Sequence, residues 1–175
     1  MTHTIITQRL KLVELSVKEL KCYLDDVDGL EQQLGYRLSR AVLTERVHRA
    51  IGMKLEKMKS ADPALHAWYT YWLMVIPDEV YGAGLIGYKG FPDENGEAEI
   101  GYGIDPTGQN KGYTTEAARA LILWAFQEPA CLSVVARDTK KSNLASNRIL
   151  AKLGMHVYHE TEDALYWRID KKKTG

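Results

Sequence analysis

The chain has 175 residues, a size that suits one domain able to bury roughly 70% of its unfolded surface. Lys and Arg number 23, as do Asp and Glu, so no global field draws a polyanion; nucleic acid and anionic membranes are disfavoured as main partners. Cys22 and Cys131 are isolated, no apolar run approaches a membrane span, and the N-terminus lacks a signal peptide's hydrophobic core, so free thiols in a reducing, cytoplasmic setting are expected.

Thr7–Leu15, with alternating Leu10 and Leu12, reads as a first strand. Ser16 with Glu19 three residues on spells a capping box, and Val17, Leu20, Leu24 and Val27 give the following helix its apolar stripe. A second helical region carries Leu43, Val47, Ile51, Leu55 and Met58 on one side and ends by Pro63. The pattern then turns to β. His66–Ile76, Tyr81–Tyr88 and Ala98–Ile104 read as three strands, and the breaks at Pro77-Asp78 and Pro92–Gly96 suit an antiparallel meander. A helix over Thr115–Glu128 packs Ala117, Ala120, Leu121, Trp124 and Ala125 on one face and stops at Pro129. Leu132–Arg137 is a short buried strand, Asn143–Leu153 a helix closed by Gly154, and His156–Glu160 and Ala164–Ile169 are the last strands. Lys171–Gly175 reads as a frayed tail. The expectation is a single α+β domain over 1–175, a mixed and mostly antiparallel central sheet of about seven strands flanked by helices.

Gly82-Ala83-Gly84-Leu85-Ile86-Gly87 spells a dinucleotide fingerprint, but that motif works only where a helix follows to hold the pyrophosphate. Tyr88–Asp93 is hairpin material instead, so these glycines read as strand positions where another backbone packs close. A second candidate is the run Gln109-Asn110-Lys111-Gly112-Tyr113-Thr114, between a strand and a helix. A glycine-containing loop at a helix start leaves several N–H groups unpaired and aimed at one point, and the helix dipole adds about half a positive charge. Such a place binds phosphate or pyrophosphate; the alternative is a plain helix-entry turn. No Gly-Lys-Ser/Thr stands at the junction, which argues against nucleotide hydrolysis.

The loop matches the Gln/Arg-x-x-Gly-x-Gly/Ala signature of the GNAT superfamily of N-acetyltransferases at Gln109 and Gly112, with Thr114 in place of the last small residue. Its surroundings, Ala98–Pro106 and Gln109–Ala117, resemble the branch containing the ribosomal-protein N-terminal acetyltransferases. Thr7-Gln8-Arg9-Leu10-Lys11-Leu12 resembles that branch's opening strand, and Asn143–Met155 its Asn-x-x-Ser helix, with Met155 where Phe is commoner. The resemblance covers nearly the whole chain. It implies that the fourth and fifth strands, here Ala98–Ile104 and Leu132–Arg137, splay apart and admit acetyl-coenzyme A. The pantetheine arm would pair with the backbone of Tyr102, Gly103 and Ile104, the pyrophosphate would rest on the N–H groups of Gln109, Asn110, Lys111, Gly112, Tyr113 and Thr114, and Asn143 would touch the coenzyme. Thr114 adds bulk near the phosphates and a hydroxyl able to donate to one. A homodimer is compatible with the resemblance, and no metal is implied.

Aminolysis of a thioester needs an uncharged amine, a polarised carbonyl and a proton for the leaving thiolate. An amine of the lysine type costs about 4–5 kcal/mol to deprotonate at pH 7, an α-amine only about 1. Glu99 is the leading base candidate, weighed against an exposed strand carboxylate, and Glu160 and Glu162 are rivals. Ser146 shares a helix face with Ile149, Leu150 and Leu153, so its hydroxyl points inward, either bonded back to the Ser142 carbonyl or, as the resemblance implies, serving as proton donor to the coenzyme sulfur. Tyr102 and Tyr113 offer further hydroxyls. The five histidines form no ligand pattern, and Trp68, Tyr69, Tyr71 and Trp72 read as sheet core. The expected activity is direct acetyl transfer from acetyl-coenzyme A to an amine on a protein N-terminus or small molecule. The rival is a module of this fold that holds coenzyme A or an acyl derivative without efficient turnover.

Overall fold

A computed structural model describes residues 2–173; of the expected frayed tail, residues 174 and 175 lie outside it. Lys171 is not frayed. Its N–H bonds to the Leu132 carbonyl at 2.9 Å and its Nζ donates to the Glu128 carbonyl at 3.2 Å, extending the last strand's edge.

Nine strands and six α-helices form among the described residues. The strands are β1 (Thr4–Ile6), β2 (Lys11–Glu14), β3 (Arg37–Leu38), β4 (Trp72–Ile76), β5 (Tyr81–Tyr88), β6 (Glu97–Ile104), β7 (Ser133–Lys140), β8 (His156–Glu160) and β9 (Ala164–Asp170). The helices are α1 (Val17–Asp25), α2 (Val27–Leu34), α3 (Glu45–Ser60), α4 (His66–Tyr69), α5 (Tyr113–Ala125) and α6 (Leu144–Lys152). The sheet runs β1-β2-β4-β5-β6-β7-β9-β8, with β3 parallel to β5 at Tyr81–Gly82. Only the β3–β5 and β6–β7 pairs are parallel. This is the expected α+β architecture, with nine strands where about seven were read.

Alternation along the strands feeds two cores. Leu73, Val75 and Leu85 face α1, α2 and α3 through Leu20, Leu30 and Ile51, while Trp72, Ile86, Ala98 and Val134 face α5 and α6 through Ala117, Leu121 and Leu150. The helix ends follow local chemistry. Ser16 and Glu19 close the capping box on α1, Thr44 caps α3 through the Val47 N–H, and Asn143 caps α6 through the Ser146 N–H.

Several boundaries differ from the sequence reading. The strand read at Thr7–Leu15 shortens to β2, because Thr7 and Leu10 close a turn in which Thr7 N–H bonds to the Leu10 carbonyl at 2.9 Å, and β1 precedes it unread. Val27 opens α2 rather than ending α1, because the Asp26 carboxylate accepts from the Gly29 N–H and starts a new helix there. His66–Tyr69 is a helical turn, not the start of a strand. The Trp68 ring draws it inward, with ring centroids 5.1 Å from Tyr88, 5.5 Å from Phe91 and 4.6 Å from Trp124. The glycines of the false fingerprint lie in β5 as expected: a Cβ on Gly84 would sit 2.5 Å from the Gly103 carbonyl oxygen. No helix among the described residues is long and apolar enough to cross a membrane.

One core position is ionisable. Lys54 on α3 is buried, its Nζ donating to the carbonyls of Tyr88 at 2.6 Å and of Tyr69 and Thr70 at 3.3 Å, 4.4 Å from the Tyr71 ring centroid. Burial, with repulsion from Lys57 and Lys89, pushes its ammonium down to about 7, against about 10.4 in an unfolded chain. The native state then holds fewer protons than the unfolded state between those values, so stability rises with pH from about 7 to about 10, by at most about 1.4 kcal/mol per unit. Lys54→Met should flatten that rise in thermal melts at pH 7.0 and 9.5; equal slopes in the two proteins would show that another group carries it.

Candidate active site

The site begins where β6 leaves β7. The two strands are in register only at Glu97–Ser133, Ala98–Val134 and Glu99–Val135, and beyond that point they diverge. On its other side β6 stays zipped to β5 through Ile104. Lys89 donates to the Glu99 carbonyl at 2.9 Å and Asp105 to the Ala83 carbonyl at 2.7 Å, so the odd-numbered residues of β6 bond to β5. The even-numbered Tyr102 and Ile104 therefore turn N–H and C=O into the gap. Gly103, also expected to meet the coenzyme, directs its backbone groups at β5 instead.

At the open end of the gap, the Asp105 side chain accepts from the Thr107 N–H at 2.8 Å and starts a short 3₁₀ turn over Pro106–Gly108. The loop then passes through two left-handed residues, Asn110 at φ +61° and Gly112 at φ +79°, into α5. Among the described residues, no N–H from Asn110 to Thr115 meets an acceptor, and no side chain caps α5. Alternating left-handed and helical backbone with unpaired amides is an anion nest at a helix N-terminus. Gln109 differs: its N–H leans on the Pro106 carbonyl at 3.3 Å. Thr114 departs from expectation too. The residue is buried, on the helix face it shares with Ala117 and Ala118.

Ser146 does not bond back to Ser142. Its hydroxyl lies 2.8 Å from the Tyr102 hydroxyl, linking α6 to β6 across the gap. Burial raises the Tyr102 pKa, while the bond to Ser146 pulls it down in part. The Asn143 carboxamide oxygen is engaged in capping Ser146 N–H at 3.1 Å. Tyr113 begins α5 with its ring under the Arg9 guanidinium, 4.8 Å from the centroid.

Glu99 points to the opposite face of the sheet, where Lys89 bonds one carboxylate oxygen and Arg137 Nη1 lies 3.3 Å from the other. Its neighbour Glu97 is shared by Arg137 and Arg168. A cleft of about 520 Å³ lies on this face, lined by Glu99, Lys57, Tyr69, Lys89, Phe91 and Arg137 among others. Glu160 and Glu162 lie elsewhere. Glu160 belongs to edge strand β8, separated from β6 by β7 and β9 and paired with Lys141 at 3.1 Å, and Glu162 is exposed in the turn that follows. Among the described residues no group of three or more His, Cys, Asp or Glu is arranged to hold a metal.

Comparison with known proteins shows the family and the fold. The family description "Acetyltransferase (GNAT) domain" matches residues 22–156, more than half of the chain. The chain belongs to the GNAT acetyltransferase family. Two Bacillus subtilis (strain 168) proteins described as uncharacterized N-acetyltransferases align with it: YjdG at 36% identity over 96 residues, 55% of this chain and 56% of that protein, and YnaD at 38% over 73 residues, 41% and 42%. The alignments thus span about half the length of these curated relatives. Among solved structures, a GNAT acetyltransferase from Bacillus anthracis superposes with a TM-score of 0.63 at 22% identity, covering 96% of this chain and 98% of that one. RimL, a ribosomal alpha-N-protein acetyltransferase in complex with coenzyme A, superposes at 0.66 and 15% identity, over 96% and 98%. A ribosomal-protein-S5-alanine acetyltransferase from Vibrio fischeri gives 0.65 at 17%, over 98% of each chain. At these identities the likeness is one of fold.

Sequence reasoning missed the clamps around this GNAT site. Asp105 is buried and accepts from the Ser39 and Thr107 hydroxyls, each at 2.6 Å, and from the Tyr81 hydroxyl at 2.8 Å, which hold its carboxyl well below the usual range. It fastens the end of β6 to the segment before α3. A depressed carboxylate contributes stability above its unfolded pKa near 3.9 and loses it as pH falls through the folded value. Asp105→Asn should lower stability by about 2 kcal/mol at pH 7 and by less below pH 4, read from denaturant titrations at both pH values. An equal loss at both would show that charge is not what holds the cluster.

Proposed function

We propose that this GNAT protein transfers an acetyl group directly from acetyl-coenzyme A to an amine, the whole chain serving as one catalytic domain. The observation that carries the reading is the alignment of three features along one gap: unpaired amides at Asn110–Thr115, unpaired backbone at Tyr102 and Ile104, and the Tyr102–Ser146 hydroxyl pair. A diphosphate fits the first, a pantetheine amide the second and a thioester sulfur the third. The solved RimL complex, which holds coenzyme A on the same fold, supports this assignment.

The thioester supplies the acetyl group, and the chain's residues manage protons. Half-buried Tyr102, its pKa raised, stays a neutral phenol, so donating its O–H to Ser146 Oγ leaves the serine proton free for the departing sulfur. Glu99 faces the acceptor side, but both its oxygens are engaged by cations, which leaves it little pull on a strongly basic amine. That favours an α-amine, which needs about 1 kcal/mol for deprotonation at pH 7 rather than 4–5. Acceptors on ribosomal proteins, as the names of two neighbours print, belong to this class. Cys131 is no nucleophile, since burial raises its thiol to about 11, and nothing supports a covalent acyl-enzyme.

Acetyl-coenzyme A at 100 times its dissociation constant should stabilise the protein by about 2.7 kcal/mol in a thermal shift. Thiol release across an amine panel should then favour α-amines over ε-amines. A shift without thiol release would leave a coenzyme-binding module, and no shift would remove the enzyme altogether. Gly112→Asp should abolish the shift, because an acidic side chain at φ +79° brings strain and repulsion into the nest. Ser146→Ala should lower kcat about 100-fold with coenzyme binding kept. Tyr102→Phe should move in the same direction, with the double variant losing less than the product of the two. Wild-type turnover in Ser146→Ala would eliminate the proton-donor role.

A further inference from the structure

The loop that would hold the diphosphate is gripped from the far end of the chain. Between β1 and β2, Leu10 N–H bonds to Thr7 Oγ1 at 3.0 Å in a closed turn that presents Arg9. Arg9 N–H and Nε donate to the two oxygens of Glu116 on the first turns of α5, each at 2.7 Å, and Thr7 Oγ1 adds a third bond at 2.6 Å. Arg9 Nη1 donates to the Lys111 carbonyl at 2.8 Å, and the guanidinium lies over the Tyr113 ring. Two of its three nitrogens and its plane are therefore fixed. Among the described residues, Nη2 meets no acceptor, and it lies 3.3 Å from where a Cβ on Gly112 would stand, at the nest.

We infer that Arg9 is a coenzyme-binding residue whose Nη2 donates to the diphosphate held by the Asn110–Thr115 amides, an assignment that rests on the function proposed above. Glu116 balances the charge of Arg9, so the pair acts as a rigid, oriented donor more than as a free cation. The arginine side chain is 44% exposed, so a ligand can reach it. Backbone amides and the helix dipole provide the other contacts, and Arg9 adds the one fixed side-chain donor. A lysine in its place keeps the charge but cannot bond Glu116, Lys111 and a phosphate together.

A general defect and an effect at the diphosphate are separated by changing the donor, and a brace and a contact by changing Arg9 to Lys, which keeps the charge but cannot make the bracing bonds. Acetyl-pantetheine carries the thioester and lacks the diphosphate. Arg9→Met should weaken coenzyme A binding roughly ten- to hundredfold by calorimetry. It should lower kcat/KM for acetyl-coenzyme A by a similar factor and leave that for acetyl-pantetheine unchanged. Arg9→Lys should recover part of the loss. The ratio of the two donors within one preparation cancels any loss of folded protein. An equal fall with both donors would show a general defect, and an Arg9→Lys protein that binds coenzyme A no better than Arg9→Met would make Arg9 a brace only; either overturns the assignment, as would unchanged coenzyme A affinity in Arg9→Met. A wild-type protein that fails to bind coenzyme A would instead overturn the functional reading, and Arg9 with it.

Discussion

The structure depends on the point at which two parallel strands stop pairing. Unpaired strand edges are normally covered or blunted, because exposed N–H and C=O groups invite another chain. Here β6 abandons β7 after Val135 while keeping its full register with β5, so the open edge faces inward. Charge marks the fork. Glu97 and Glu99 from β6 meet Arg137 from β7 and Arg168 from β9 at the last paired residues. These groups are partly exposed, so the lattice adds little to net stability. Its geometric effect is larger, since it holds the strands together on one side of the divergence and leaves the other side free.

Contacts distant in sequence set the far end of the gap. The Asp105 cluster draws in Ser39 and Tyr81, and the Glu116 cluster draws in Thr7 and Arg9. Between these two anchors, Asn110 adopts a left-handed conformation that costs a residue with a side chain, and Gly112 one that glycine takes freely. An anion nest needs such convergence of amides, and the anchors set it before any ligand arrives.

How much of this could be read from the sequence varies with range. Strands β5 and β8 fall on the residues expected, and the cap at Ser16 does as well, because each rests on neighbours within a few positions. The loop's Gly112 was legible for the same reason. The β1–β2 turn and α4 were not, since side-chain bonds and aromatic packing override strand-like composition there. Arg9 and Glu116 stand 107 positions apart, so nothing local joins them. The one available signal was that Arg9 sits inside a recognised segment. The burial of Thr114 was not legible, because the loop text does not say which face of α5 its second residue shares.

Period two in β6 gives one strand two chemically distinct faces. Tyr102 and Ile104 pack toward the α5–α6 core and turn backbone groups into the gap, while Glu97 and Glu99 present carboxylates on the opposite face. On that opposite face Gly101 and Gly103 carry no side chain: a Cβ on Gly101 would meet nothing within 4 Å, and one on Gly103 only Val42 at 3.6 Å. That face is thus left open beside Glu99, and the other is furnished with Tyr102. Shifting the β5–β6 register by one residue would exchange these faces, placing a carboxylate against the apolar core and the phenol in the cleft. The register is held against such a slip by Ala98 and Ile100, both buried in the same core. The packing that folds the strand therefore also decides which face carries the phenol and which the carboxylates.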